Sequence, residues 1–171
     1  MFRKAEATDI ERIAEIQTLA WHAAYASILD KAIMEQYSLD TFVHLWQERF
    51  ETGHHQVYLY VSDSGSDVVG FCRICEPGSD SKPPANFGEL SHLYLDPQKT
   101  AKGYGHQLFS FALTTLKVSY KGMLLWTLEH NERARAFYER HGMYTDGVRR
   151  DDPEALGEGI YEVRYVLPFE S

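Results

Sequence analysis

The sequence predicts an α/β (α+β) fold: a mixed, mostly antiparallel central sheet flanked by helices, in which the fourth and fifth strands form one parallel pair. Three observations predict it. The 171 residues suit one domain, since domains run to roughly 100–200 residues. Apolar residues make up 44% of the chain and aromatic residues 13%, which supports a core and argues against disorder. Strand-like and helix-like segments alternate without repeats, so residues 1–171 are expected to form a single domain.

The first half of the chain predicts two helices and an antiparallel hairpin. Thr8 and Glu11 have the spacing of a capping box, and apolar residues with helical spacing follow them. A polar turn over residues 62–67 separates two segments rich in Val and Leu. The predicted elements are a strand over Phe2–Ala5, a helix from Thr8, a helix over Asp40–Glu51, and strands over Gln56–Ser62 and Val68–Glu76.

The second half predicts a strand–helix–strand unit over residues 88–128, which implies a right-handed parallel crossover. A helix ended by Gly142 and a closing strand follow this unit. The predicted elements are a loop over Pro77–Phe87 at the edge of a site, a strand over Gly88–Leu95, a helix from about Gly103, a strand over Met123–Leu128, a helix over Asn131–His141, a loop over Tyr144–Gly159 and a strand over Ile160–Leu167.

Charge and composition disfavour several classes of function. Subtracting 25 Asp and Glu from 17 Lys and Arg gives a net charge of −8, and no long basic run is present, so no nucleic acid is expected as a partner. No apolar run approaches the roughly 18 residues of a membrane span, and the N-terminus does not resemble a signal peptide. A cytoplasmic protein without membrane contact is therefore expected. Cys72 and Cys75 lie on a strand and point to opposite faces, so they predict no metal site.

The most informative segment runs from Leu93 to Leu108 as a strand, a turn with Gly103 and Gly105, and a helix. The first turn of a helix leaves N–H groups without partners, and these groups favour an anion such as a pyrophosphate. The two glycines let the backbone approach the phosphates closely. Leu108 replaces the third glycine of a dinucleotide motif, and the Gly-Lys-Ser/Thr of a P-loop is absent. The motif predicts another kind of anion site, with a turn that only packs as the alternative.

This segment resembles the acetyl-CoA motif of the GCN5-related N-acetyltransferase (GNAT) family. In that motif a hydrophobic strand and a proline precede Gln/Arg-x-x-Gly-x-Gly/Ala. Leu95-Asp96-Pro97 and residues 100–105 occupy the pattern, with Thr100 where the family prefers Gln or Arg. A second family pattern, a strand followed by a helix, is matched by Asn131, Ala134, Phe137, Tyr138 and Gly142, with Met143 in place of a phenylalanine. The resemblance covers nearly the whole chain and implies a single GNAT-like domain.

The resemblance implies that the chain is an N-acetyltransferase that uses acetyl-CoA as co-substrate, without a metal. The acetyl group would pass directly to the primary amine of a small molecule or peptide. Lys99 or Lys102 could supply positive charge that Thr100 lacks. The implied cofactor-binding residues are Leu93, Leu95, Thr100, Ala101, Lys102, Gly103, Tyr104, Gly105, His106, Asn131 and Tyr138.

Two residues are expected to be catalytic by resemblance. Tyr138 would protonate the leaving CoA thiolate, since an ordinary tyrosine pKa near 10 leaves the hydroxyl protonated at neutral pH. Glu89 would be the base, because an alkyl amine with a pKa near 10.4 must lose a proton before it attacks. The alternatives are that Glu89 is a solvent-facing carboxylate, with Ser91 and His92 as nearby candidates, and that Tyr138 only packs.

The acceptor and the oligomeric state stay open, with a homodimer among the alternatives. The residues that could bind an acceptor are Trp21, Tyr25, Tyr37 and those of the acidic segment 144–159. An acidic mouth suits a polyamine or another cationic amine, and the alternative is that the segment is a solvated loop. A peptide N-terminus or a lysine also fits as the acceptor. The alternative function is a catalytically silent acyl-CoA-binding or regulatory module of the same fold. A nucleotide-phosphate binder is a third interpretation, which leaves the match from Asn131 to Tyr138 unexplained.

Overall fold

The computed structural model describes residues 1–53, 56–62, 65, 67–78, 82–99 and 103–170. The strands are β1 (Phe2–Lys4), β2 (Gln56–Val61), β3 (Val68–Cys75), β4 (Phe87–Leu95), β5 (Gly122–Leu128), β6 (Tyr144–Asp151) and β7 (Tyr161–Pro168). The helices are α1 (Ile10–Tyr25), α2 (Lys31–Gln36), α3 (Leu39–Glu51), α4 (Tyr104–Leu116), α5 (Glu132–Arg140) and α6 (Pro153–Leu156). None of the helices in these ranges is long and apolar enough to cross a membrane.

The strands form one seven-stranded sheet in the order β1-β2-β3-β4-β5-β7-β6. Only β4 and β5 run parallel among the neighbours in this sheet, and α4 makes the crossover between them. The fold class predicted from the sequence, including the parallel β4–β5 pair, is confirmed.

Helices pack on both faces of the sheet, because each helix has one apolar side. On α1 the buried residues Ile10, Ile13, Ala14 and Gln17 have the spacing of one helix face. This face and α3 cover Val57, Leu59 and Phe71 on one side of the sheet. On the other side α4 buries apolar side chains against β4, β5 and β7, among them Leu108, Phe109, Leu125 and Tyr165. The two helical layers hold the middle strands between them.

The parallel pair separates part of the way along its length. The β4–β5 ladder joins only residues 87–89 to residues 122–124. Beyond that point β4 continues to Leu95 and β5 continues to Leu128, while β5 keeps its partner β7 through Glu162. The sheet therefore has a gap in its middle, at the carboxyl ends of the two parallel strands.

The start of α1 differs from the prediction. The helix begins at Ile10, and Asp9 stands directly before it, so the prediction of Thr8 as the cap is wrong. The Asp9 carboxylate accepts the N–H of Glu6 at 2.8 Å and binds Arg3 at 2.7 Å. The bidentate pair with Arg3 and the bond to Glu6 engage Asp9 in the short 3-10 turn before α1.

The segment Tyr144–Gly159 is not a loop, as the sequence predicted, but contains β6 and α6. Strand β6 lies at the edge of the sheet, and most of its side chains are exposed on both faces. It therefore lacks the alternation of apolar and polar residues that identifies a half-buried strand. The backbone pairing with β7, interrupted by a register shift between Thr145 and Arg149, holds it in place. The short helix α2 was not predicted either.

Candidate active site

A cavity of about 410 Å³ occupies the gap between β4 and β5. Side chains from both strands, from α1 and from α5 line it, together with the start of α4. Of the residues predicted to bind the cofactor, the structure brings these to the cavity: Leu93, Leu95, Gly105, Asn131 and Tyr138. Residues that are distant in sequence thus meet where the sheet separates.

The glycine turn presents backbone to this cavity. Gly103 stands before α4 in the left-handed conformation, with a φ of 73°, and the first intrahelical bond runs from Gln107 N–H to its carbonyl at 3.1 Å. The N–H groups of Tyr104, Gly105 and His106 therefore have no partner inside the helix. A Cβ added to Gly105 would lie 3.3 Å from Leu95 Cδ1. This close-fitting backbone suits the phosphates of a cofactor, whereas Thr100, Ala101 and Lys102 lie outside the described residues.

The side chains of Tyr104 and His106 have partners of their own. The Tyr104 ring packs at a tilt against the Tyr60 ring, with 5.3 Å between ring centroids. His106 Nδ1 lies 2.8 Å from His141 Nε2, near the end of α5. Both residues can therefore serve a phosphate with their backbone N–H groups while their side chains pack elsewhere.

Asp96 anchors the segment that leads into the glycine turn, and sequence reasoning did not single it out. Its side chain is only 5% exposed and accepts a hydrogen bond from Arg12 Nη2 at 2.6 Å. Its other oxygen accepts the N–H of Gln98 at 2.9 Å. Lys99, which the sequence offered as positive charge for the phosphates, instead forms an ion pair with Asp67. The Asp-Pro start of the turn was the signal that could have identified Asp96.

At the N-terminal end of α5, Asn131 both caps the helix and lines the cavity. Asn131 caps the helix, since its Oδ1 accepts the N–H of Ala134 at 3.2 Å. Tyr138, two turns further along, also lines the cavity. Burial raises the pKa of Tyr138 well above its ordinary value of about 10. Its hydroxyl therefore stays protonated at neutral pH and can donate a proton.

Two more tyrosines, Tyr25 and Tyr94, line the cavity beside Tyr138. The Tyr94 hydroxyl accepts a hydrogen bond from Trp21 Nε1 at 2.9 Å. Burial raises the pKa of Tyr25, and the neighbouring Tyr94 and Tyr138 raise it further. Their electrostatic coupling indicates that the three hydroxyls lie near one another. The sequence pointed to Trp21 and Tyr25 for the acceptor but not to Tyr94, which no motif distinguishes.

Glu89 lies on the paired part of β4, opposite Cys75 and Leu124, and it is not among the residues that line the cavity. The neighbouring Ser91 does line it. Burial, followed by the charges of two nearby arginines, lowers the pKa of His92 well below its ordinary value, so this ring is neutral. The structure therefore places Ser91, but not Glu89, directly at the cavity.

Only part of the acidic segment 144–159, which the sequence offered as an acidic mouth or as a solvated loop, is paired within the protein, and Glu162 of β7 is paired as well. Asp146 binds Arg164 at 2.6 Å, and Glu162 binds Arg150 at 2.6 Å. Asp152 accepts the N–H of Ala155 at 3.0 Å and caps α6. The charge of Glu162 also contributes to the raised pKa values of Tyr25 and Tyr94, so this carboxylate lies near the tyrosines.

Comparisons with known proteins agree with this geometry. The model of the acetyltransferase (GNAT) family matches residues 10–143. A probable N-acetyltransferase of Mycobacterium tuberculosis is 25% identical over 96% of this chain and 91% of its own length. A spermidine N(1)-acetyltransferase of Thermoplasma acidophilum is 27% identical over 94% of this chain and 96% of its own. The crystal structure of PaiA N-acetyltransferase from Thermoplasma acidophilum, in complex with coenzyme A, has a TM-score of 0.72 at 20% identity and covers 99% of this chain and 98% of that one.

Proposed function

The chain belongs to the acetyltransferase (GNAT) family, and on that premise we propose that residues 1–171 form one N-acetyltransferase domain that transfers the acetyl group of acetyl-CoA to a primary amine by direct attack. The observation that carries the proposal is the meeting of the glycine turn, Asn131 and Tyr138 at the gap between β4 and β5. Acetyl-CoA would supply an activated thioester there, and the amine would supply the nucleophile.

The backbone on the α4 side would hold the cofactor. The N–H groups of Tyr104, Gly105 and His106 would bind the pyrophosphate at the positive end of α4. Free backbone groups of β4 near Leu93 and Leu95, exposed by the separation of the strands, would bind the pantetheine arm and polarise the thioester carbonyl. This arrangement depends little on a charged side chain, which is consistent with Thr100 in place of Gln or Arg.

Proton transfers would involve the polar groups around the cavity. Tyr138, whose hydroxyl is protonated at neutral pH and whose pKa burial raises further, would donate its proton to the departing thiolate. Glu89 remains the proposed base and would act through water, since its side chain is not among those that line the cavity. No acyl-enzyme is required, because the amine attacks the thioester itself.

The proposal is tested by incubating the chain with acetyl-CoA and a panel of primary amines that includes polyamines, amino acids and a peptide. Release of the free thiol and mass spectrometry of the acetylated amine give the readout. We expect at least one amine to be acetylated at a rate that depends on enzyme concentration. Binding of acetyl-CoA by calorimetry without turnover of any amine would contradict the proposal and favour a silent binding module.

A further inference from the structure

One charged side chain lines the cavity in the part of the chain that the structure describes. It belongs to Arg133, the second residue of α5, and every other lining residue in that part is neutral. The rest of the wall consists of apolar, aromatic and small polar side chains, such as those of Leu95, Tyr94 and Ser91. An anionic group of a ligand in this cavity would therefore find its charged partner at Arg133.

Arg133 is exposed and takes part in none of the ion pairs that join the described residues. The positions three and four residues further along α5, where a carboxylate could pair with it, hold Ala136 and Phe137. Glu129, four residues before it, binds Arg149 at 2.7 Å instead. The guanidinium of Arg133 is therefore accessible to a ligand and is not held by a carboxylate of the described chain.

The position of Arg133 does not favour the helix that carries it. The N-terminal end of a helix is its positive end, so a cation in the first turn is unfavourable there. Arg135, two residues further along, has a structural explanation, because it donates to the Glu129 carbonyl at 2.9 Å and to the Tyr165 hydroxyl at 3.0 Å. Within the described ranges Arg133 makes no comparable hydrogen bond. A role in ligand binding would explain a charge that α5 does not need.

Two later residues on the same side of α5 show which way Arg133 faces, since positions 133, 137 and 141 follow one another at intervals of four. An added Cβ on Gly105 would lie 3.5 Å from Phe137 Cε2. His141 Nε2 lies 2.8 Å from His106 Nδ1, so this side of α5 faces the start of α4 and advances along it. Arg133 lies about one turn before Phe137, and helix side chains lean toward the N-terminus of their helix. Arg133 is thereby directed past Gly105, toward the end of α4 where the phosphates are proposed to bind.

The phosphates of acetyl-CoA are the anions that this end of α4 is proposed to hold. The N–H groups and the dipole of a helix supply only partial positive charge, equivalent to roughly half an elementary charge. Lys99 is paired with Asp67, and Thr100 carries no charge. A guanidinium is planar and can donate two parallel hydrogen bonds to a phosphate. Arg133 therefore has the charge and the shape to supplement the backbone at this site.

We propose that Arg133 binds a phosphate group of acetyl-CoA and adds its charge to the backbone N–H groups of the glycine turn. The inference rests on the proposed cofactor site and adds to it a side chain that was not predicted from the sequence. The pyrophosphate and the 3′-phosphate of the cofactor share this chemistry, and the experiments below distinguish them. Arg133 would act on the binding of the cofactor and not on the transfer of the acetyl group.

The first experiment measures the Kd of CoA by calorimetry for the parent chain and for Arg133→Gln. Removal of the charge should weaken binding at least about fivefold, because charge-assisted hydrogen bonds are lost from a site that is partly open to water. The difference should shrink when the ionic strength is raised from about 0.05 M to about 0.5 M, since salt screens the attraction. Arg133→Lys keeps a positive charge without the planar fork, so it should retain part of the affinity.

The matched control is Arg140→Gln, which removes an exposed arginine from the same helix at a position that does not line the cavity. Its Kd for CoA should equal that of the parent chain. The Tm of both glutamine variants without ligand should stay close to the parent value, so that weaker binding does not reflect unfolding. Equal CoA affinity in Arg133→Gln and Arg140→Gln, or a loss of affinity that salt leaves unchanged, would overturn the inference.

Dephospho-CoA, which lacks the 3′-phosphate, identifies the group that Arg133 binds. If Arg133→Gln weakens the binding of CoA and of dephospho-CoA by the same factor, Arg133 binds the pyrophosphate. If it weakens the binding of CoA alone, Arg133 binds the 3′-phosphate. Both results support a phosphate contact, because the two ligands differ in that group and in nothing else.

Binding and turnover together separate this inference from the proposed function. If no amine is acetylated but Arg133→Gln weakens the binding of CoA, acetyl transfer fails and the phosphate contact stands. If amines are acetylated and Arg133→Gln changes only the KM of the amine, with the Kd of CoA unchanged, the phosphate contact fails and acetyl transfer stands. Arg133 would in that case act on the acceptor instead of the cofactor.

Discussion

The two proposed sides of the cavity, a cofactor side with Gly105 and α5 and an acceptor side with Tyr25 and Tyr94, are built in different ways. On the cofactor side, the glycine turn and α5 each use residues that are close in sequence, and the turn offers mainly backbone N–H groups. On the acceptor side, the contacts join distant residues, such as Trp21 and Tyr94, which are 73 positions apart. Backbone groups recognise a constant ligand whatever the side chains are, whereas side chains from separate elements can change independently. We therefore expect the specificity for the amine to be determined on the acceptor side.

Tyr138 belongs to the cofactor side and is the proposed acid, so its replacement should have the largest effect. Tyr138→Phe keeps the ring and removes the acidic hydroxyl, and general acid help is typically worth about 100- to 10,000-fold. We expect kcat to fall by at least the lower value, with an acetyl-CoA Kd close to that of the parent enzyme. Single-turnover thiol release and calorimetry give the two quantities. Single-turnover chemistry at the parent rate would remove Tyr138 from the acid role, and water would then protonate the thiolate.

Asp96 holds the cofactor side to α1, and its replacement should lower stability most clearly. Asp96→Asn keeps the size of the side chain but removes the charge that Arg12 and the N–H of Gln98 bind. Loss of hydrogen bonds to a charged group should reduce the free energy of unfolding by about 1.5–3 kcal/mol. Urea denaturation measures this change, and the exposed Asp151→Asn is the matched control. Equal midpoints for the two variants would show that the Arg12–Asp96 pair does not stabilise the turn.

Gly105 tests whether the cofactor approaches the backbone as closely as the geometry indicates. A valine at this position would crowd Leu95 and Phe137, whose atoms lie 3.3 Å and 3.5 Å from an added Cβ. Because Gly105 lines the cavity, the added side chain would also take space proposed for the cofactor, so we expect acetyl-CoA to bind at least about tenfold more weakly, a difference of about 1.4 kcal/mol. Thr114→Val, on the exposed side of α4, is the control for a valine in the same helix that does not line the cavity. Equal affinity in both folded variants, measured by calorimetry, would move the phosphate site elsewhere.

The difference between contacts that are local in sequence and contacts that join distant residues also explains how much of the site the sequence could predict. Gly103, Gly105, Asn131 and Tyr138 each fall in a short motif next to a strand, so local pattern identified them, although the assignment of their roles remains a prediction. Asp96 was missed because its partner Arg12 is 84 positions away. Tyr94 was missed because its partner Trp21 is 73 positions away.

The fold shows the same limit. The antiparallel β2–β3 hairpin and the parallel β4–β5 pair follow from apolar runs, a polar turn and a crossover helix, and both were predicted. The edge strand β6 was missed because its side chains are exposed on both faces, so only the backbone bonds to β7 define it. Sequence patterns reflect which side chains are buried, and the side chains of β6 are almost all exposed.

The hydrogen bond between Trp21 and Tyr94 should give the smallest effect, and it tests the acceptor side alone. Trp21→Phe removes the indole N–H that the Tyr94 hydroxyl accepts at 2.9 Å, and Tyr94→Phe removes the acceptor. A hydrogen bond of this kind contributes about 0.5–1.5 kcal/mol, so either variant should lower kcat/KM for the amine by about twofold to tenfold.

The double variant makes this prediction specific. Because both single changes break the same bond, their effects on kcat/KM should not add, and the coupling should approach the energy of that bond. The acetyl-CoA Kd should stay nearly constant in all three variants, since the backbone of the glycine turn is untouched. Additive losses in kcat/KM would show that the two residues act separately on the acceptor. A parallel rise in the acetyl-CoA Kd would show that the two sides of the cavity are coupled, because a bond confined to the acceptor side would then be controlling the cofactor as well.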